Sequence, residues 1–440
     1  MATNNIQQNT FIPAIGALPA GWGCTRVHNL FTEIVDRYDS KKDPSLPLLS
    51  VSEYYGVAER AEKIDEGEIL IRASSLDGYK KCHAGDLVSN IMLTWRGALG
   101  VSPKDGIVSP AYCVYRPVSD VCGKYYHYLF RTQRYADIFK IHSTGLIDSR
   151  LRLYSAKFFA IKVPFPPLNE QKKIAEFLDE QCNKIDSICK EAQSSIHEYK
   201  AWKSSIIYEA VTKGLAYNGE MKDSGFEWIG KIPVNSSVTR LKYIVDQIQS
   251  GTSVNAGQFP AKEEELGILK TSCVSKYFFN PNENKSINRD EYSRATCSVK
   301  KGTIIVSRMN TPELVGACGY VTEDYPNLFL PDRLWQVSFK EGVNVRFVWY
   351  FLQSHPTRQY YASLATGTSS SMQNISQAQF LNAPIIMLSE TEQRKVVAFL
   401  DKKCRQIEQL ITEKSMLIYD LESYKKSLIY EVVTGKRKVV

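Results

Sequence analysis

The chain says the same thing twice. Residues 168–181 read LNEQKKIAEFLDEQ and residues 388–403 read LSETEQRKVVAFLDKK. With Glu170-Gln171 set on Glu392-Gln393, Phe177-Leu178-Asp179 falls on Phe399-Leu400-Asp401, an offset of 222 in both cases (392 − 170 and 401 − 179). Ser205–Glu209 falls on Ser427–Glu431 at the same offset. A period of half the 440-residue chain marks a duplicated module rather than a solenoid. Such a chain is expected to fold as a pseudo-two-fold object with a function that needs two of something.

Each copy ends in a long helical segment. In the first, Leu178, Cys182, Ile185, Cys189, Ala192, Ile196, Tyr199, Lys203, Ile206 and Ala210 recur at alternating steps of four and three. In the second, Leu400, Cys404, Ile407, Ile411, Lys414, Ile418, Leu421, Lys425, Leu428 and Val432 do the same. This is a coiled-coil seam, and neither Gly nor Pro interrupts 171–213 or 393–434. At 1.5 Å per residue each helix is roughly 60 Å long. One narrow apolar stripe cannot stay exposed over that length, so the two helices are expected to pack as an antiparallel pair. Asn169 and Ser389 read as N-caps, the second with Glu392 completing a capping box. The helices read as a spacer, with no site on them.

Ahead of each helix lies a segment of short apolar and aromatic runs between Gly, Pro, Asn and Asp. Examples are Asp86–Val88, Tyr112–Tyr115 and Thr303–Val306, with helical stretches near Tyr125–Phe139 and Val345–Gln353. The expected organisation is an α+β domain over 1–165, a helix over 166–213, a linker over 214–235, a second α+β domain over 236–388 and a helix over 389–436. Duplication persists weakly in the domains. Gly85–Val88 resembles Gly302–Ile305, and His142–Gly145 resembles Leu364–Gly367.

What the sequence lacks narrows the function. No stretch is apolar enough to span a membrane, and the start shows no basic, then apolar, leader, so a cytoplasmic protein is expected. The ten cysteines form no CxxC pair and are expected to be reduced and buried, and the six histidines form no ligand cluster; no metal site is expected. There is no P-loop, no GxGxxG after a strand, no GxSxG and no HExxH. Asn280-Pro281-Asn282 lacks the second proline and the aromatic residue of an amino-methyltransferase motif. Pro331-Asp332 has no Glu-x-Lys to complete a nuclease cluster. A net charge of +8 permits a nucleic-acid partner without demanding one. Two related domains on a rigid helical pair, with no chemistry of their own, suit recognition of two things at a set distance.

At this point the chain resembles the specificity (S) subunits of type I restriction-modification systems. The likeness is carried by the repeated Glu-Gln…Phe-Leu-Asp helix opening, by the Ser-Ile/Leu-Ile-Tyr-Glu ending, and by the junction Met221–Gly225, Glu227–Gly230 and Ile232-Pro233. The resemblance implies that each domain is a target-recognition domain reading half of a bipartite, asymmetric site in double-stranded DNA. The helices would set the unread spacer and dock two methyltransferase (M) subunits. Two restriction/translocase (R) subunits would complete the enzyme. S-adenosylmethionine, ATP and magnesium would sit on those partners, with no cofactor and no catalytic residue on this chain. The helices are not strongly basic: Lys and Arg against Asp and Glu number 7 to 7 over 172–213 and 11 to 7 over 392–438. Phosphate contacts are therefore expected from the domain loops and the partners.

Base reading needs Arg, Asn, Gln, Ser or Thr on loops. In the first domain the candidates are Ser89, Asn90, Trp95 and Arg96, with Ser143, Thr144, Gly145, Ser149, Arg150 and Arg152. In the second they are Ser307, Arg308, Asn310 and Thr311, with Thr366, Gly367, Thr368, Ser369, Ser370, Ser371, Gln373 and Asn374. Any one of them could equally be ordinary turn chemistry. Other readings remain: a self-contained methyltransferase or nuclease, which the missing motifs oppose; a coiled-coil scaffold, which leaves two α+β domains unexplained; and the recognition subunit of a methylation-only or site-adjacent-cleaving system.

Overall fold

The computed structural model describes residues 11–13, 15–43, 45–60, 76–215, 219–369 and 372–439. Two long helices dominate it, Leu168–Lys213 and Glu390–Val433, as the uninterrupted seams require. The chain divides into two compact units that do not follow the sequence halves. Unit 1 is residues 1–193 with 416–440, and unit 2 is residues 194–415. Each unit thus joins one globular domain to the start of one long helix and the end of the other.

In unit 1 the antiparallel strands Phe31–Ile34 (β2), Leu87–Asn90 (β3), Leu99–Val101 (β4) and Tyr112–Pro117 (β5) form a sheet in the order β2-β5-β3-β4. Helices Gly123–Phe130 (α1), Gln133–His142 (α2) and Ser155–Phe159 (α3) follow. The chain then returns through Lys162–Phe165 (β6), paired with Gly23–Arg26 (β1), into the first long helix. The core gathers Phe31, Tyr125, Tyr126, Phe130, Tyr135, Phe139 and Phe158 with Ile174 and Leu178 of the first long helix and Leu428, Val432 and Val433 of the second. Lys425 Nζ lies 2.6 Å from Asp186 Oδ1. As one helix rises from Ile174 to Asp186, the other falls from Val432 to Lys425, so these segments run antiparallel.

Unit 2 repeats this plan. It begins with a hairpin, Met221–Asp223 (β7) and Lys231–Pro233 (β8). Ser237–Arg240 (β9) precedes Val245–Ser250 (β10), Ile304–Ser307 (β11), a short strand Met309–Asn310 (β12), Cys318–Tyr320 (β13) and Leu334–Phe339 (β14). The sheet order β10-β14-β11-β13 is that of unit 1. Helices Val345–Gln353 (α4) and His355–Leu364 (α5), the hairpin Thr366–Ser369 (β15) and Met372–Asn374 (β16), helix Gln377–Leu381 (α6) and strand Pro384–Met387 (β17) complete it. Here Ile207, Ala210 and Val211 share a core with Val396, Leu400 and Cys404, and Lys203 Nζ lies 2.5 Å from Glu408 Oε1, again antiparallel. Asp186 and Glu408, like Lys203 and Lys425, are 222 apart: the two ion pairs are one pair with the helices exchanged. The seam positions Leu178, Ile185, Ile196, Leu400, Ile407 and Leu428 are buried, and Ile206 and Ile418 half-buried.

The two plans drift in register before they lock. Corresponding strands are offset by 214 (237 − 23), 217 (304 − 87), 219 (318 − 99) and then 222 (334 − 112). From β5 onward the offset stays at 222: α2 with α5, α3 with α6, and β6 with β17. Length changes are confined to the loops of the first half of each domain.

The repeated helix opening has a physical account. Gln171 is fully buried and its Nε2 donates to Pro166 O at 2.8 Å; Gln393 Nε2 donates to Leu388 O at 2.8 Å. Asp179 accepts from Tyr128 Oη (2.7 Å) and Lys124 Nζ (2.6 Å), and Asp401 accepts from Tyr350 Oη (2.7 Å) and Arg346 Nη2 (2.6 Å). The Gln closes the strand-to-helix turn and the Asp ties the first domain helix to the long helix.

Several sequence expectations need correction. Asn169 is not an N-cap, because the helix already begins at Leu168, with Glu170 N and Gln171 N donating to Pro167 O. Ser389 Oγ does accept from Glu392 N (3.3 Å), but the Glu392 carboxylate accepts from Leu215 N (3.3 Å). The expected linker 214–235 includes the β7–β8 hairpin, with Ile229 and Ile232 buried in the unit 2 core and Ile229 O accepting from Tyr208 Oη at 2.9 Å. The stretch 125–139 is two helices broken at Arg131-Thr132, where Thr132 caps α2 by accepting from Tyr135 N. All ten cysteines are unpaired, eight of them buried.

Candidate nucleic-acid interface

Two connections differ in content between the domains and carry the candidate residues: the one after the central strand (β3 or β11) and the one after the second helix (α2 or α5). The candidates fall on these connections, and the structure joins the two within each domain.

In the first domain Ser89 and Asn90 are strand residues, 3% and 4% exposed, and not displayed on a loop. They close the following turn from inside. Ser89 Oγ lies 2.7 Å from Thr94 Oγ1, and Asn90 Oδ1 accepts from Met92 N at 3.2 Å. The same turn presents Trp95, half-buried, and Arg96, exposed. Trp95 Nε1 donates to Met92 O (3.0 Å), and Lys140 Nζ lies 4.9 Å above the ring, within cation–π range. Arg96 Nε lies 2.7 Å from Glu53 Oε2. Arg131 donates to the carbonyls of Gly97 and Leu99 on one side and of Ser52, Glu53 and Tyr54 on the other, which fixes Glu53 beside Arg96. Next to it, His127 Nδ1 accepts from Val101 N (3.1 Å); burial, helped by the Arg131 charge, pushes its pKa down to about 3, so it stays neutral.

The second connection begins where α2 ends. Ser143 Oγ donates to Phe139 O at 2.7 Å and is half-buried. Thr144 and Arg152 then exchange backbone hydrogen bonds of 2.9 and 3.0 Å, closing a loop. On it Gly145, Ser149 and Arg150 are exposed, while Arg152 is half-buried and its Nη1 donates to Leu151 O (2.8 Å). Leu153 N donates to Ile91 O (2.9 Å), linking this loop to the turn that carries Trp95 and Arg96.

In the second domain Ser307 is fully buried and likewise not displayed; its Oγ accepts from Asn310 Nδ2 at 3.2 Å. Asn310 Oδ1 accepts from Thr311 N (2.9 Å), and Thr311 is exposed. Strand β12 pairs with β16 (Met309↔Asn374, Asn310↔Gln373), and β16 pairs with β15 (Thr366↔Asn374). One three-stranded sheet therefore gathers both candidate groups. Thr366 and Gly367 are exposed, and Gln373 and Asn374 half-buried. Thr368 and Ser369 lie on β15, and Ser370 and Ser371 fall outside the described residues. The Arg308 guanidinium lies 5.9 Å from the Trp335 ring. Arg308 Nε and Asn374 Oδ1 are buried atoms with no hydrogen-bond partner in the structure. A buried polar atom left so is costly unless something outside the chain completes it.

Sequence reasoning missed Glu53 and Lys140, which position Arg96 and Trp95, and the apolar residues Leu146 and Ile147 between the chosen polar ones. Leu146 and Ile147 carry no hydrogen-bonding group, although an apolar side chain can also read a base. Among the described residues, no three His, Cys, Asp or Glu side chains are grouped to hold a metal, and no helix is long and apolar enough to cross a membrane.

A family model described as the type I restriction modification DNA specificity domain matches residues 62–198. The type I restriction enzyme EcoKI specificity subunit of Escherichia coli is 22% identical over 414 residues, covering 90% of this chain and 83% of that one. The MjaVIII specificity subunit of Methanocaldococcus jannaschii is 26% identical over 423 residues, covering 90% and 88%. Over most of its length the chain is similar to type I restriction-modification specificity subunits. The likeness extends to the fold. A chain from a solved type I restriction-modification assembly superposes with a TM-score of 0.68 at 15% identity, over 96% of this chain and 99% of that one. The matching family model describes a DNA specificity domain, and the two loop groups are two of the places where the duplicated frame differs in content between the domains.

Proposed function

We propose that each globular domain reads one half of a bipartite, asymmetric DNA sequence, through Trp95, Arg96 and the 143–152 loop in the first and through the β12-β16-β15 sheet in the second. The observation that carries this reading is a four-stranded sheet and helix frame repeated in the same order in both domains, on which the connections after the central strand and after the second helix differ in chemistry, as two unlike half-sites require. Arg96, Arg150 and Arg152 supply phosphate and guanine-type contacts in the first domain. Arg308, Asn374 and Gln373 supply them in the second.

The long helices set the length of DNA left unread between the halves and dock two methyltransferase subunits. Those subunits bind S-adenosylmethionine and modify adenine. Two restriction/translocase subunits, dependent on ATP and magnesium, join the same assembly. The chain itself contributes recognition and no catalytic group, and it works in the cytoplasm.

The test is methylome sequencing of a host without its own systems, expressing this chain with and without its neighbouring methyltransferase gene. A bipartite methyladenine motif that needs both genes is the expected result. Methylation from this chain alone would overturn the reading.

A further inference from the structure

The two domains close a loop of equal length at the same point of the frame. Thr144 bridges Arg152 and Thr366 bridges Asn374, each partner 222 residues from its counterpart, so 145–151 corresponds to 367–373. A glycine opens both loops because the return strand passes too close for a side chain. A Cβ on Gly145 would lie 2.6 Å from Arg150 O, and one on Gly367 would strike Met372 O, the counterpart carbonyl (150 + 222 = 372). The base is constant while the content changes, from Gly-Leu-Ile-Asp-Ser-Arg-Leu to Gly-Thr-Ser-Ser-Ser-Met-Gln.

The first loop has an apolar tip that none of the described residues covers. Leu146 is 100% exposed and Ile147 56%, and Ile141, just before the loop, is 80% exposed. A lone exposed leucine is unremarkable. Leu146 and Ile147 on a loop pinned at both ends, with Ile141 at the end of α2 just before it, are three exposed apolar side chains within seven positions. Its surroundings are cationic: Lys140, Arg150 and Arg152 flank it, and Lys140 holds Asp148 at 2.9 Å, which braces the tip. That collar suits a polyanion.

Among the groups that base edges present in the major groove, the apolar one is the 5-methyl of thymine. A leucine pressed on any other edge would strip water from a polar atom and return no hydrogen bond. Resting on the DNA-reading role proposed above, we propose that Leu146 and Ile147 are specificity-determining residues that read a thymine methyl group in the first half-site. The arginines beside them hold the backbone while the tip tests for the methyl.

The experiment uses the complete chain assembled with its methyltransferase partner and a duplex carrying its methylated motif. Each thymine of the first half-site is replaced in turn by deoxyuridine, which removes the methyl and nothing else. The wild-type assembly is expected to lose about fourfold in affinity at one or two positions, the worth of one buried carbon. Leu146→Ser is expected to bind the unmodified duplex more weakly and to lose nothing further on replacement. Its unfolding temperature should not change, since the side chain is fully exposed. A first half-site with no methyl-sensitive thymine, or equal sensitivity in both proteins, would overturn the proposal. So would a variant with unaltered DNA affinity that fails to assemble with the methyltransferase, because the tip would then be a protein contact. Failure of the wild-type assembly to recognise any bipartite motif would overturn the domain reading itself, a result visible before any variant is made.

Discussion

Removing the last 25 residues, 416–440, should unfold the domain at the opposite end of the sequence. Unit 1 takes those residues into its own core, where Leu428, Val432 and Val433 are at most 1% exposed. At about 1.5–3 kcal/mol for each buried aliphatic side chain, their loss costs roughly 5–9 kcal/mol. Tyr125 Oη, wholly buried, also loses its acceptor Val433 O at 2.7 Å, which adds about 1–3 kcal/mol. The sum is comparable to the whole stability of a typical domain, about 5–15 kcal/mol. The assay is hydrogen exchange read by mass spectrometry on a chain ending at Ser415, beside the full chain. Amides of β2, β5, β3 and α1 should lose protection, while those of β10, β14, β11 and α4 keep it. A chain in which the N-terminal sheet stays protected and the second domain opens would refute the assignment of the helix end to unit 1. Val432→Asp is the milder version and should show the same asymmetry.

Gly145→Ala should strain the base of the loop, lowering the unfolding temperature, and weaken binding at the first half-site several-fold, measured on duplexes altered in one half at a time, because the added carbon meets the backbone at Arg150 O. Asn374→Ala should cost little stability, since its Oδ1 has no partner to lose, yet reduce discrimination in the second half-site alone, by about 1–3 kcal/mol in competition binding. The His127 pKa is lowered on folding, so the folded state binds fewer protons than the unfolded state below pH 6.5 and stability falls as pH drops from there toward about 3. At pH 5, about 1.5 pH units below the ordinary histidine pKa, this amounts to at most about 2 kcal/mol, and to less because the residue is only half-buried. Denaturant titrations at pH 7 and 5 should show that loss in the wild type and less of it in His127→Asn, in which the amide oxygen can still accept from Val101 N.

The long helices were legible because an apolar seam of that length, free of Gly and Pro, has one good solution. The α+β character of the domains was legible from runs and turns. The second helix of the second domain was not, because only the apolar stretch near Val345–Gln353 stood out; Pro356 sits in the first turn of α5, where its missing N–H costs nothing. Ser89, Asn90 and Ser307 were misplaced for a related reason. Polar residues near a turn suggest display, but here Thr94, Met92 and Asn310 satisfy them from within the fold. The composition of the units was beyond local sequence altogether. Nothing near Leu428 announces that its burial partners lie some 300 residues away.

That cross-supply sets a rule for recombination. A new N-terminal domain can be spliced in at residue 165 only if it brings the socket for a helix end it does not encode: a lysine and a tyrosine placed like Lys124 and Tyr128 for Asp179, and a ring like Tyr125 to receive the final carbonyls at Val433. These side chains all sit on α1, whereas the candidate DNA contacts sit on the connections after β3 and α2. Selection can therefore rewrite what is read without renegotiating what is held, and exchange between lineages should succeed or fail on one short helix.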